Sequence, residues 1–353
     1  MSINNVSVNV GTKEITFETG KLALQAPGSV VVKSGNTTVL VTAVANKEVR
    51  DGIDFFPLTV DVEERMYAAG KIPGGFFRRE GRQTEKAILS SRLIDRPLRP
   101  SFDDGFRCET QIIATVLSVD TEIDYDILAL NAASTALQLG GIPLQQPVAG
   151  VRMSLIEGNW VAQASTSELE NSTFDMVVAG NLNKNNEIDI VMVEAGATDN
   201  AFIFIDEGGL APTEEIVANG IDESKQYIAA IINAQKELVA KCDVPNIEWP
   251  TIEDYSSEVK EKIENFLKDK LESVFDNTDK ASRADAENAL KEEVLAEFLN
   301  EEVDNSKELK NAFKSVIKEF VRNKVLSGGK RLDGRNPEEH TSELQSHQLI
   351  SYA

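Results

Sequence analysis

Histidine and cysteine are nearly missing from this chain: two of each in 353 residues. His340 and His347 both fall in the last stretch, Glu338 to Ala353 (EEHTSELQSHQLISYA), whose wording is that of a sequencing-library adapter translated in frame. We therefore read 338–353 as an artefact of the coding record and exclude it from fold reasoning. Without it no histidine remains, so Ser-His-Asp triads, Cys-His pairs and His-ligated metal sites drop out. Cys108 and Cys242 lie far apart with no C-x-x-C spacing, which excludes a disulfide framework and a thiolate zinc site. No apolar run approaches the roughly 18 residues of a membrane-spanning helix, and the start, MSINNV, has neither a basic nor an apolar leader segment. The expectation is a cytoplasmic protein with no membrane association.

Positive charge is also scarce, with 36 Lys and Arg against 58 Asp and Glu and a net charge of −22. Where it gathers is therefore informative. From Arg65 to Arg107 ten basic residues stand against five acidic ones, a local +5 that leaves −27 for the remainder. A chain this acidic can hold a polyanion only where cations are focused locally, and this window is taken as the candidate. Its centre, Pro73 to Gly81, is rich in glycine and reads as a loop. Phe76 and Phe77 in that loop offer stacking faces beside the guanidinium forks of Arg78, Arg79 and Arg82, the combination that grips single-stranded nucleic acid without regard to sequence. The bland alternative is that one or both phenylalanines are core or subunit-interface residues. Arg92, Arg96 and Arg99 extend the basic lining, although Asp95 has the spacing to pair with a neighbouring arginine for structure alone.

Alternating β-branched runs predict strands at 6–10, 14–17, 29–33, 37–44 and 55–61. Thr84 caps a helix expected to reach Ile94 and to be stopped by Pro97, and 110–119 is a further strand. A helix over 126–139 ends at Gly140-Gly141. A second strand-rich unit follows, with strands at 151–156, 160–162, 174–180 and 188–193 and a long amphipathic helix over 214–242. Beyond Pro245 and Pro250, apolar residues at helical spacing among dense Glu and Lys predict three or four helices with solvated charged faces. A Gly-rich basic linker, Ser327 to Arg335, then breaks the pattern. The boundaries drawn are 1–145 and 146–243 for two subdomains of one core, 244–325 for an all-helical domain, and 326–337 for the start of a truncated second core.

Seven segments taken in order, Asp54 to Val60 (DFFPLTV), Tyr67 to Pro73 (YAAGKIP), Phe76 to Arg82 (FFRREGR), Arg92 to Pro100 (RLIDRPLRP), Gly141 to Pro143 (GIP), Asp175 to Gly180 (DMVVAG) and Arg331 to Arg335 (RLDGR), closely resemble the first half of the bacterial polynucleotide phosphorylase family. The resemblance implies an α+β RNase-PH-like core, of the ribosomal-protein-S5-domain-2-like β/α fold, followed by an all-α helical domain. It implies a phosphorolytic 3′-to-5′ exoribonuclease that releases nucleoside diphosphates, with inorganic phosphate as co-substrate and Mg2+ as cofactor. Its implied partners are single-stranded RNA, two further copies in a homotrimer, and components of an RNA-degradation complex. The family's loop matching Phe76 to Arg79 lines the central channel and grips RNA.

The same resemblance places phosphate-binding serines, metal-binding aspartates and a catalytic lysine in the second core, after which KH and S1 modules follow. Where the serines would fall this chain has Asp124-Tyr125-Asp126, and carboxylates there repel phosphate. Asp175 matches one catalytic carboxylate, but the lysine expected two residues later is Val177. Asp175 is better explained as a capping residue at a strand start, and no residue of this chain is assigned a catalytic role. The fragment is expected to be inactive, its first core serving the RNA channel and trimer assembly. The alternative is a non-catalytic RNA-binding or assembly module acting alone. A magnesium site built from Glu168, Glu170 and Asp175 is a third, less favoured reading.

Overall fold

The computed structural model describes residues 3–50, 52–74, 80–299 and 305–335. The chain divides into two compact units, Met1–Thr251 and Ile252–Ala353. No described helix is long and apolar enough to cross a membrane.

The first unit carries two sheets. Strands β1 (Asn4–Val10), β2 (Lys13–Thr19), β3 (Gly28–Ser34), β4 (Thr37–Ala45), β5 (Leu58–Glu64) and β6 (Thr110–Ser118) form a six-stranded sheet of order β1-β2-β3-β4-β6-β5. Only the β5 and β6 pairing is parallel, with α1 (Glu85–Leu98) in the crossover between them. Strands β7 (Val148–Ile156), β8 (Asn159–Ala162), β9 (Ser172–Leu182) and β10 (Ile188–Ala197) form an antiparallel sheet of order β10-β9-β7-β8. Three helices lie between the sheets. Helix α1 packs on β5 and β10, α2 (Asp126–Leu139) on β3, β4 and β7, and α5 (Glu214–Ala240) on β1, β7 and β9.

That layering explains the composition of α2. A helix covered on every side has no face for charge, and apart from Gln138 every residue from Asp126 to Leu139 is buried. Strands β4 and β6 alternate, burying Val39, Val41 and Ala43 in one and Ile112, Ala114 and Val116 in the other, so one face of the large sheet meets this helix layer. Both sheets and all three helices share one apolar core. Two short helices that periodicity did not reveal, α3 (Thr166–Leu169) and α4 (Ala201–Asp206), precede β9 and follow β10.

Three of the boundaries that differ from the sequence reading have a visible physical cause. Strand β5 starts at Leu58 because Pro57 has no N–H for the ladder, and Phe56 is drawn into a ring cluster with Phe102 (4.5 Å) and Phe106 (5.3 Å). Pro97 lies inside α1, in its last turn, and the helix closes one residue later. Residues 244–251 belong with the first unit: the Trp249 indole donates to the Gly141 carbonyl (2.7 Å) and stands edge-on to Phe106 (5.6 Å).

The second unit is helical in its described residues: α6 (Ser257–Leu267), α7 (Leu271–Phe275), α8 (Lys280–Phe298) and α9 (Ser306–Gly328). Ile263, Leu267, Phe275, Leu290, Val294, Phe313 and Val316 are central to its own core. Ser256 and Asp279 cap α6 and α8 by accepting the free first-turn N–H groups of Val259 and Ser282. Helix α9 continues through Ser327-Gly328, expected to be linker, until Gly329 turns left-handed at φ 67°.

Candidate functional site

The basic window is rooted on the end of β5. Glu80 accepts the Met66 N–H (2.6 Å) and pairs with Arg65 (3.5 Å), whose other partner is Glu63 (2.8 Å). The Gln83 amide donates to Asp61 (3.2 Å), and the Thr84 hydroxyl donates to Glu64 while accepting the Ala87 N–H that caps α1. Contacts from Glu80, Gln83 and Thr84 thus fix where the loop re-enters the fold. Phe76, Phe77, Arg78 and Arg79 themselves lie outside the described residues.

The structure separates the remaining arginines. Arg82, just ahead of α1, and Arg92, on it, are exposed, with no carboxylate partner among the described residues. Arg92 and Arg96 of α1 and Arg99, the residue that closes it, follow one another at i, i+4 and i+7 along one side. Arg96 is tied to Glu194 of β10 (2.9 Å) and the Val193 carbonyl (3.3 Å). Arg99 is committed further: it grips Asp95 with two nitrogens (2.6 and 3.0 Å) and donates to the carbonyls of Phe56 (3.0 Å) and Leu58 (3.1 Å). It holds the chain leading into β5.

Beside α1 an open cleft of about 790 Å³ is lined by Lys86, Leu89, Asp126, Arg152, Asp175 and Glu194, among others. Strand pairing dictates its floor. Ser154 of β7 stands opposite Asp175 of β9, and Arg152 stands opposite Val177, all on one face of the sheet. The Arg152 guanidinium bridges Asp175 and Asp126, the latter the first residue of α2, and the Ser154 hydroxyl donates to the other Asp175 oxygen (2.8 Å). The side chains of Arg152 and Asp126 are 20% and 10% exposed, so the pairing is largely shielded from water. Lys86 meets Asp124 (2.9 Å) and stands over the Tyr125 ring, whose hydroxyl donates to Glu64 (2.6 Å). Burial, then that carboxylate, hold the Tyr125 phenol well above its usual range. Burial opposes the charge of Arg152, yet Asp126, Asp175 and Asp124 outweigh it and keep the guanidinium charged.

This arrangement is already satisfied. The N-terminus of α2 is where an incoming anion would be attracted, and the Asp126 carboxylate occupies it, accepting the Ile127 N–H (2.6 Å). Asp175 is no strand-start cap, since β9 begins at Ser172 and its oxygens take side-chain donors from β7. The cation of the site comes from β7 in place of a lysine at 177, where Val177 is buried. Glu168 closes a capping box with Ser165 (2.7 Å to its N–H) and is not turned toward Asp175. Among the described residues no group of three or more His, Cys, Asp or Glu could hold a metal ion, and the donor set here, two carboxylates already taken up by Arg152, does not fit one. Arg152 and Ser154 were not singled out from the sequence. Their signal was a polar pair at i and i+2 in the otherwise apolar run VRMSLI.

Residues 11–143 match the 3′ exoribonuclease family, domain 1, and residues 258–336 match the polyribonucleotide nucleotidyltransferase RNA-binding domain. The polyribonucleotide nucleotidyltransferase of Acidothermus cellulolyticus is 46% identical over 325 residues, covering 92% of this chain and 42% of that protein. That of Mycobacteroides abscessus is 48% identical over 329 residues, 92% of this chain and 44% of the relative. A crystal structure of rice (Oryza sativa) Rrp46 aligns at TM-score 0.48 and 14% identity, covering 68% of this chain and 94% of that one. The chain spans less than half the length of the curated relatives it matches. With a core that matches the exoribonuclease family model followed by a helical unit that matches the second model, it belongs to the bacterial polyribonucleotide nucleotidyltransferase family and corresponds to its N-terminal region.

Proposed function

We propose that this chain is the RNA-guiding portion of a phosphorolytic 3′-to-5′ exoribonuclease, with no chemistry of its own. The observation that carries this reading is the closed Asp126–Arg152–Asp175 bridge: phosphate and a divalent cation would each have to displace a partner already seated in it to enter. Phosphorolysis needs inorganic phosphate held against the terminal phosphodiester and Mg2+ to offset the charge of the leaving oxygens. Both are assigned to the second core of the full-length parent, working in the cytoplasm as a homotrimer and with partners in an RNA-degradation complex. The part played here is to hold single-stranded RNA through Phe76, Phe77, Arg78 and Arg79, with exposed Arg82 and Arg92 continuing the track. A free-standing RNA-binding or assembly module is the second reading, favoured by a helical unit with a core of its own.

The test incubates end-labelled oligoadenylate with the chain, Mg2+ and phosphate. The expected outcome is binding without release of nucleoside diphosphate. Replacing Phe76 and Phe77 with Ala should weaken binding about tenfold or more, since each stacked base contributes roughly 1–3 kcal/mol. Phosphate-dependent release of nucleoside diphosphates by the chain alone would overturn the assignment.

A further inference from the structure

We propose that the exposed face of α9 carrying Lys307, Lys310, Lys314, Lys318 and Arg322 is a second docking track for the phosphate backbone of single-stranded RNA. The spacing, i, i+3, i+7, i+11 and i+15, sets all five cations within one stripe on the side of the helix opposite Phe313 and Val316. All five are exposed, and none has a carboxylate partner among the described residues. The two carboxylates of α9 are turned elsewhere: Glu308 accepts from the Ser256 N–H and hydroxyl (2.9 Å each), and Glu319 pairs with Lys260 (2.8 Å). Lys324, off the stripe, is taken by Asp276.

A solvated helix face in a chain of net charge −22 would be expected to interleave signs. Here Lys310, Lys314, Lys318 and Arg322 succeed one another at i+4, a row of like-charge neighbours that weakens the helix. A bound polyanion reverses the sign of that contribution. At 1.5 Å per residue the stripe is about 22 Å long, enough for a short run of nucleotides. The family description of this segment as RNA-binding agrees with that choice of polyanion, and the inference rests on the RNA-guiding role proposed above.

The experiment measures binding of fluorescent oligoadenylate to the whole chain across a salt series. For single strands the slope of log K against log salt is about −0.7 per phosphate contact, so replacing all five with Gln should make the slope shallower by about 3.5 and weaken low-salt binding about tenfold or more. A control with Lys47, Lys184, Lys262, Lys268 and Lys280 replaced by Gln should bind like the parent, and each single stripe variant should lose about 0.7 of slope. An unchanged slope in the five-fold stripe variant overturns the proposal, as does poly-L-glutamate binding where RNA does not. If the F76A/F77A/R78Q/R79Q variant binds like the parent while the stripe variant does not, the loop reading falls and the stripe stands. An intact chain that binds no RNA at low salt sinks both.

Discussion

Arg152 decides the character of the first unit. Its charge is shared between two carboxylates that come from different elements, Asp126 at the start of α2 and Asp175 in the middle of the small sheet, so one side chain joins the helix layer to the sheet. Removing one member of a shielded ion pair leaves the other charge without compensation, a loss of about 3–5 kcal/mol. The R152A variant is therefore expected to lose about that much stability in urea unfolding. D175N should lose less, because Asp126 still pairs with the guanidinium. A double-mutant cycle between positions 152 and 175 should give a coupling of at least about 1 kcal/mol. If R152A unfolds like the parent, the bridge is open to water and its exclusion of phosphate fails with it.

At the scale of elements, ionised carboxylates brace the turn between β6 and α2, tie it to α3 and close the cap of α3 itself. Asp120 accepts the Glu122 N–H (3.1 Å) and the Asn36 amide (3.2 Å); Glu122 accepts the Ser167 hydroxyl (2.7 Å) and N–H (3.2 Å); Glu168 accepts the Ser165 N–H. Those donors pull all three carboxyls below their ordinary values of 3.8 for Asp and 4.5 for Glu, the Glu122 backbone N–H acting first on Asp120 and the Ser167 hydroxyl first on Glu122. A lowered folded-state pKa adds stability that is complete above the ordinary value and is lost as pH falls through the depressed one. This turn should therefore loosen below about pH 4.5, followed by carboxyl carbon shifts, and E122Q should flatten its share of that acid slope. The Ser165-x-x-Glu168 capping box opens α3, a helix too short for periodicity to reveal. Helix α2 was legible at both ends because turn chemistry and a continuous apolar run agreed. Strand β5 was misplaced because Phe55 and Phe56 look like strand residues until the ring cluster claims Phe56. The pairing of Arg96 with Glu194, 98 positions away, depends on tertiary contact and left no local trace. The α9 stripe did leave one: from Ser306 to Arg335 nine basic residues stand against three acidic ones, a local +6, although only the helical face shows that five of them line up.

Across the whole molecule, apolar residues gather in two separate cores, one shared by the two sheets and their helix layer, the other confined to residues beyond Ile252. Cooperativity follows contiguous packing, so the units should melt as distinct transitions in calorimetry. Two core truncations assign them. Ile228 of α5 is fully buried in the first core and Phe313 of α9 is 2% exposed in the second. I228A should cost about 2–5 kcal/mol and F313A about 3–5 kcal/mol, each through the cavity it leaves. Because a unit of about 100 residues shifts by roughly 4–8 °C per kcal/mol, F313A should pull one transition down by more than 10 °C or abolish it. The larger unit's transition should stay where it was, and I228A should do the converse. A single transition displaced by both variants would mean that the units fold as one, and the stripe on α9 could then be weakened by changes in a core it does not belong to. Separate melting instead makes the salt-slope readout on α9 independent of the first unit's stability, because charge replacements confined to an exposed helix face leave the sheet core, and with it the Arg152 bridge, intact.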